Sequence, residues 1–394
     1  MTAARDEIFY RERRLPPYVF AEVNRLKAAY RRQGRDVIDF GMGNPDLPPA
    51  PHIIAKLAEV AADPRAHRYS ASAGVPSLRK ALSRYYERRF KVGLDPDREV
   101  CVTLGSKEGL ANLAQAITAP GDVILAPDPS YPIHMFGFII AGAAVRSVSF
   151  ESPEAFLREA DHACRRSIPS PSALVLNFPS NPTAQVVDLD FYAEAVKLAK
   201  AHDLVLISDL AYSEIYFDGE PPPSILEVAG ARELAVEFTS MSKTYSMPGW
   251  RIGFAAGSAR LIDALKRVKS YLDYGAFTPV QIAAVAALDG PQDSVDAARQ
   301  TYRSRRDVLV ESFARAGFDI PSPPATMFAW APIPARFAEL GSVEFSKQLL
   351  EKTGVAVAPG LGFGERGDGH VRLALVENEQ RIRQAARALK GFFG

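Results

Sequence analysis

Thr239-Ser240-Met241-Ser242-Lys243-Thr244-Tyr245-Ser246-Met247-Pro248-Gly249-Trp250-Arg251-Ile252-Gly253-Phe254 sets one lysine among small hydroxyl residues, with an arginine eight positions later. A strand-like run, Leu234-Ala235-Val236-Glu237-Phe238, leads in, and the apolar Ile252-Gly253-Phe254 leads out. A lysine between two segments of buried character loses solvent. Desolvation disfavours its charged form, lowers its pKa and makes the amine a nucleophile toward carbonyls. The hydroxyls and Arg251 suit a dianion beside that amine, and a phosphate fits best. A phosphorylated aldehyde held as a Schiff base satisfies both halves, and pyridoxal 5'-phosphate is such a molecule. The same residues would also serve a surface lysine on a Ser/Thr-rich loop.

Outward from this stretch the pattern alternates. N-terminal to it lie strands at 100–104, 123–126, 144–150, 173–177 and 204–209, separated by helices at 77–90, 107–117, 132–141 and 191–201. Strands that read as unbroken apolar runs between helices predict a mostly parallel sheet covered on both faces, an α/β domain over residues 51–287. Nearer the N-terminus an amphipathic helix at 20–33 stops at Gly34. A short strand at 37–40 then enters the turn Gly41-Met42-Gly43-Asn44-Pro45-Asp46, and a helix beyond Pro51 carries Ile53, Ile54, Leu57 and Val60 on one face. On the C-terminal side a charged helix from about Ser294 to Gly317 precedes strands at 327–331, 355–358 and 370–375, and helices at 343–353 and at the end. Residues 288–394 therefore predict a smaller α+β domain, with residues 1–50 as an N-terminal segment that joins it.

The 394 residues suffice for a large core and two or three domains. A net charge of +1 with dispersed basic residues argues against a nucleic-acid surface. The two cysteines, Cys101 and Cys164, form no paired motif, and the six histidines have no metal-ligand spacing. Each histidine reads as a surface or packing residue. No secretory signal and no apolar run long enough for a bilayer is found, so a cytoplasmic enzyme is expected.

Five further places carry chemistry. Gly105-Ser106-Lys107 follows a strand and opens a helix, where unsatisfied backbone N–H groups and the positive end of the dipole bind phosphate; a plain strand–helix turn has the same residues. Asp209 closes an apolar strand, at the sheet end where ligands of parallel α/β folds bind. Opposite a pyridine nitrogen it would keep that nitrogen protonated; otherwise it caps a helix. Tyr212 could offer its phenol to the ring oxygen, or pack. Asn181, between Pro179 and Pro182, projects its amide from a stiff loop. Arg372, in the apolar Val371-Arg372-Leu373-Ala374-Leu375, needs an anion, which a substrate carboxylate or a structural Asp or Glu would supply. Neither Gly41-Met42-Gly43 nor the glycine-rich 359–369 segment has the strand-to-helix setting of a dinucleotide loop.

In this order the pieces resemble the fold-type I, class I/II PLP-dependent aminotransferases over nearly the whole chain. The resemblance implies that Gly43-Asn44-Pro45-Asp46 is the substrate-carboxylate turn, and that Tyr69 in Arg68-Tyr69-Ser70 reaches the phosphate of a neighbouring subunit in a homodimer with shared active sites. It implies that Gly105, Ser106 and Lys107 form the phosphate cradle, with Ser240 and Arg251 adding to it, and that Tyr131 stacks on the cofactor. Asn181, Asp209, Tyr212 and Lys243 are implied as the catalytic set, and Arg372, with Asn181 and Gly43, as the α-carboxylate site. L-P-P-Y-V-F (15–20), G-S-K-E-G-L (105–110), F-P-S-N-P-T-A-Q (178–185), D-L-A-Y (209–212) and K-S-Y-x-D-Y-G (269–275) look most like bacterial glutamate–pyruvate (alanine) transaminases. LL-diaminopimelate and aspartate aminotransferases are the nearest relatives of that group. Ala184 stands where many members have glycine, and no second arginine for a distal carboxylate is evident; Lys107 is the candidate for that task. Lyases on the same scaffold are the rival enzymatic reading. PLP-binding regulators are the non-enzymatic one, and too few residues precede the turn to hold their helix-turn-helix.

Overall fold

The computed structural model describes residues 9–16 and 19–393. Pro17 and Tyr18 of the L-P-P-Y-V-F stretch lie outside the described residues. The strands are β1 Ile38–Asp39, β2 Val100–Thr103, β3 Val123–Asp128, β4 Ala144–Ser149, β5 Pro171–Leu176, β6 Val205–Asp209, β7 Ala235–Ser240, β8 Gly253–Gly257, β9 Phe328–Pro332, β10 Val355–Ala356, β11 Ala358–Pro359 and β12 His370–Ala374. A seven-stranded sheet runs in the order β2-β8-β7-β6-β5-β3-β4. The β8 strand is antiparallel to both neighbours, and the other pairs are parallel. This is the mostly parallel α/β sheet that the apolar runs predict.

Period-two alternation divides those runs between two cores. Leu125, Leu174, Leu176, Leu206 and Ala235 enter a core with the helices Pro76–Phe90, Pro153–Arg166, Leu189–His202 and Thr278–Asp289. Their sequence neighbours Ile124, Ala173, Val175, Ile207 and Val236 enter the opposite core, under the helices Ser106–Ile117, Ile133–Ala141 and Ala259–Leu272. A third core surrounds β9 and β12 with Phe313, Phe318, Phe345 and Leu389, and takes in Phe40 and Tyr212. There β1 pairs in parallel with β10, so residues just before the Gly41 turn are fastened to the C-terminal part of the chain.

Several local expectations need correction. The helix Pro153–Arg166 has no counterpart in the sequence reading, although Ser152 accepts a hydrogen bond from Ala155 N–H at its start and Pro153 occupies its first turn. The expected strand at 355–358 is two short strands in different sheets: β10 pairs with β1, while β11 pairs with β12. Ile54 is exposed and not on the buried face with Ile53.

Glu237, in the middle of β7, lies on the face opposite Phe238 and is fully buried. Its carboxylate accepts from Tyr86 Oη (3.0 Å), Ser208 Oγ (3.0 Å), Ser224 Oγ (2.5 Å) and Ile225 N (3.2 Å). Loss of water outweighs these donors and raises the carboxyl pKa to about 7. The folded state thus keeps a proton that the unfolded chain releases near pH 4.5. This contribution is complete below that pH and disappears as pH rises through about 7, a loss on the order of 3 kcal/mol. Glu237→Gln is expected to flatten the urea midpoint between pH 5 and 7.5; profiles parallel to the parent would contradict this.

Candidate active site

Three loops leave the carboxyl ends of adjacent parallel strands and meet at one cavity of about 310 Å³. The loop after β5 carries Asn181, β6 ends at Asp209, and β7 ends at Ser240. Ser240 Oγ accepts from Ser242 N–H (3.2 Å) and caps the one-turn helix Met241–Thr244, which bears Lys243. The Lys243 amine donates to the Gly43 carbonyl (3.1 Å) and lies 5.9 Å from the centre of the Tyr212 ring. Burial first, then the positive charges of Arg372 and Arg251, depress its pKa to about 8, against the opposing pull of Asp209. An amine of ordinary pKa is fully protonated near neutrality; this one is not.

One side of the cavity is built for an anion. Gly105 is left-handed (φ 85°) at the start of the helix Ser106–Ile117, and a Cβ there would stand 2.2 Å from the Arg251 guanidinium. Only glycine lets the arginine lie against the first turn. Arg251, itself at φ 54°, donates to Pro248 O (2.9 Å) and Leu104 O (3.2 Å), which holds its charge beside the helix start. Ser106, Lys107, Ser240, Ser242 and Arg251 line this part.

Asp209 is 4% exposed, and no regular helix follows it, so the helix-cap reading fails. Its Oδ1 accepts from Ala211 N–H (3.3 Å), and its Oδ2 meets His134 Nε2 at 2.8 Å. The other nitrogen of His134 meets Ser130 Oγ at 2.7 Å, and Asn177 Nδ2 donates to the Asp209 carbonyl (3.0 Å). His134, fully buried, is therefore tied to a lining carboxylate, a role that the reading of histidines as surface or packing residues missed. Tyr131 lines the cavity with its ring edge-on to His134, and burial holds the Tyr212 phenol far above its usual pKa, hence protonated.

In the same cavity, Arg372 Nη1 donates to Asn181 Oδ1 (2.8 Å) and Nη2 to the Gly41 carbonyl (3.4 Å). Its guanidinium carbon is 4.0 Å from the centre of the Phe328 ring and 4.5 Å from that of Phe363. Two aromatic faces fix the plane of the fork. Gly43 also needs to be glycine, because a Cβ would come within 2.6 Å of Phe328. Phe20, Val23 and Asn24, on the helix Phe20–Arg32, close the remaining wall.

Gly43, Ser106, Lys107, Tyr131, Asn181, Asp209, Tyr212, Ser240, Lys243, Arg251 and Arg372 thus line one cavity, with Gly105 behind Arg251. Lys107 is exposed, its amine 5.9 Å from the Tyr131 ring centre. Tyr69 does not line this cavity; it is 86% exposed, with its ring 4.7 Å from that of Tyr274. Among the described residues, no group of three or more His, Cys, Asp or Glu could hold a metal ion, and no helix is long and apolar enough to cross a membrane.

A half-buried lysine of lowered pKa, a buried carboxylate in the same cavity and an anion cradle are the constellation of the class I and II aminotransferases, and the family profile of that name matches residues 35–389: the chain belongs to this family. It is 64% identical over 386 residues to AatC of Rhizobium meliloti, whose name places it among aminotransferases without giving a substrate (98% of this chain, 95% of the relative). It is 52% identical over 385 residues to the glutamate-pyruvate aminotransferase AlaC of Escherichia coli (98% and 93%). It is 44% identical over 384 residues to the LL-diaminopimelate aminotransferase of Desulforudis audaxviator (98% and 97%). The protein is an aminotransferase.

Proposed function

We propose that it transfers the amino group between alanine and 2-oxoglutarate, with pyruvate and glutamate as products, using pyridoxal 5'-phosphate. The observation that carries this reading is the meeting, in one cavity, of the Lys243 amine of depressed pKa, the buried Asp209 carboxylate and the Arg372 fork. The cradle at Gly105, with the Arg251 charge against a helix start, fits a phosphate; Lys243 fits an aldehyde, and Asp209 a protonated ring nitrogen. When bound, the cofactor supplies the electron withdrawal that acidifies the substrate Cα–H.

The chain's own groups do the rest. Lys243 would hold the cofactor through its amine, and as a free amine beside the substrate it would take and return the Cα proton. Asp209, oriented by His134, would keep the ring nitrogen charged, while Asn181 and Tyr212 would hold the ring oxygen. Ser106, Ser240 and Arg251 clamp the phosphate, joined by Tyr69 of the partner subunit. Arg372, Asn181 and the Gly43 backbone would hold the α-carboxylate and so fix the direction of the Cα–H bond. Lys107 reads the distal carboxylate of glutamate. The arginines among the described lining residues are 251 and 372.

A homodimer follows from the role given to Tyr69. Tyr69 and Tyr274, exposed with their rings 4.7 Å apart, offer aromatic surface for the second copy. We further propose division into a cofactor domain at residues 51–287 and a small domain at 288–394 joined by 1–50, and a cytoplasmic setting.

A half-reaction screen tests the substrate assignment. Loss of the cofactor's visible absorbance is expected to be fastest with alanine and glutamate among single amino acids. Faster reaction with LL-diaminopimelate or aspartate would overturn the pairing, and ammonia release without an oxo-acid acceptor would mark a lyase. The Lys243 pKa gives a second expectation. Capture of pyridoxal 5'-phosphate by the cofactor-free enzyme should quicken about tenfold per pH unit below pH 8 and level off above it. A rate still climbing through pH 10 would contradict a depressed pKa.

A further inference from the structure

The turn that carries Gly41 and Gly43 is held at both ends by the C-terminal part of the chain. At one end the Phe40 carbonyl accepts from Ala374 N–H (2.7 Å). At the other, the Asp46 carboxylate takes both terminal nitrogens of Arg305, Nη1 to Oδ1 at 2.7 Å and Nη2 to Oδ2 at 2.8 Å. Arg305 comes from the middle of the helix Asp293–Ala314 and is 6% exposed. Its Nη1 also donates to the carbonyl of Leu375 (3.0 Å), three residues beyond Arg372. One planar cation therefore joins the turn whose carbonyls face Lys243 and Arg372 to the strand that presents Arg372. Neither Asp46 nor Arg305 lines the cavity.

We propose that Arg305 and Asp46 are positioning residues for the α-carboxylate site, setting the distance between the Gly43 backbone and the Arg372 fork. This rests on the reading above that Arg372 receives that carboxylate. The turn is short and its glycines carry no side chains to anchor it, so its placement depends on what grips its ends. A guanidinium grips in two bonds at fixed angle and has a third donor for the strand; a lysine retains the charge but not the fork. Displacement of the turn by a fraction of an ångström lengthens its contacts to the carboxylate, while the Arg372 fork, held by Asn181 and two aromatic rings, keeps the carboxylate's direction. Weaker binding with little change in turnover follows, the signature of an interaction shared by ground and transition states.

The test compares Arg305→Lys and Asp46→Asn with Arg306→Lys in the holoenzyme. Arg306 is as buried as Arg305 and is ion-paired with Asp218 and Asp307, but none of its bonds reaches the turn. The readouts are KM for alanine, kcat, and the inhibition constant of propionate, which presents the carboxylate without the amine. Arg305→Lys and Asp46→Asn are expected to raise KM and the propionate constant together about tenfold, with kcat within about threefold, while Arg306→Lys leaves both constants near the parent. Equal constants in all three variants, raised or unchanged, would overturn the proposal. Should Arg305→Lys fail to fold, Asp46→Asn decides alone, since it removes the acceptor charge from a side chain at the surface end of the pair. Arg372→Lys separates the two levels. If it raises both constants while the Arg305 and Asp46 variants do not, only this inference fails. If it changes neither, the carboxylate reading itself fails.

Discussion

Lys243→Ala is expected to lose at least about four orders of magnitude in turnover while remaining folded. Two functions depend on the one amine. As the group proposed to hold the cofactor it must react as the free amine, and burial with the charges of Arg372 and Arg251 brings its pKa to about 8, so that a fraction is unprotonated at neutrality. As the base at Cα, it contributes the gain of a positioned proton carrier, up to about 10⁴-fold. Neither other lysine among the described lining residues is placed to substitute for it: Lys107 is exposed, its amine 5.9 Å from the Tyr131 ring centre, and Lys27 is ion-paired with Asp39 at 3.0 Å. The fold should tolerate the change, because among the described residues the Lys243 side chain has one hydrogen bond, to Gly43, and stands in a four-residue helix. Steady-state assays on the purified variant check this. Transamination within tenfold of the parent would contradict the assignment.

Asp209→Asn is the second large effect, a fall of about 10³-fold in kcat with cofactor binding weakened but measurable. The substitution preserves shape and leaves an oxygen to accept from Ala211, but it removes the only charge on that side chain. In the proposed mechanism a neutral amide would no longer favour a protonated ring nitrogen, and electron withdrawal from Cα would decline with it. His134 sharpens the expectation. Its imidazole, held by Ser130, fixes the rotation of the Asp209 carboxylate. His134→Phe should therefore retain the charge and cost far less than Asp209→Asn, on the order of tenfold. Equal losses in the two variants would mean that the carboxylate acts through structure and not through its charge.

Most of the sheet was readable because each central strand is an apolar run flanked by turn residues, and burial on both faces leaves no other use for such runs. The Lys243 stretch, the strand-end Asp209 and the glycine at 105 were readable for the same local reason: the chemistry they need is written within a few residues. What escaped depends on contacts distant in sequence. His134 gave only an i,i+4 pairing with Ser130 at a helix start, and its link to Asp209 spans 75 residues. Arg305 looked like one more charge on a solvated helix, yet its partner Asp46 is 259 residues away and the helix face is buried. The helix Pro153–Arg166 was masked by its charge, since only Phe156, Ala160, Ala163 and Cys164 of its fourteen residues are buried. Residues 355–358 read as one strand because a hydrophobic pattern cannot tell that Val357 lies between two pairing partners.

The central claim is a covalent link between this chain and pyridoxal 5'-phosphate at a single amine. Incubation of the protein with that aldehyde, reduction with borohydride and mass mapping of the peptides tests it directly. The account predicts one phosphopyridoxyl group per chain, on Lys243, and none in Lys243→Ala. An unlabelled chain, or a label on another lysine with Lys243 untouched, would contradict it.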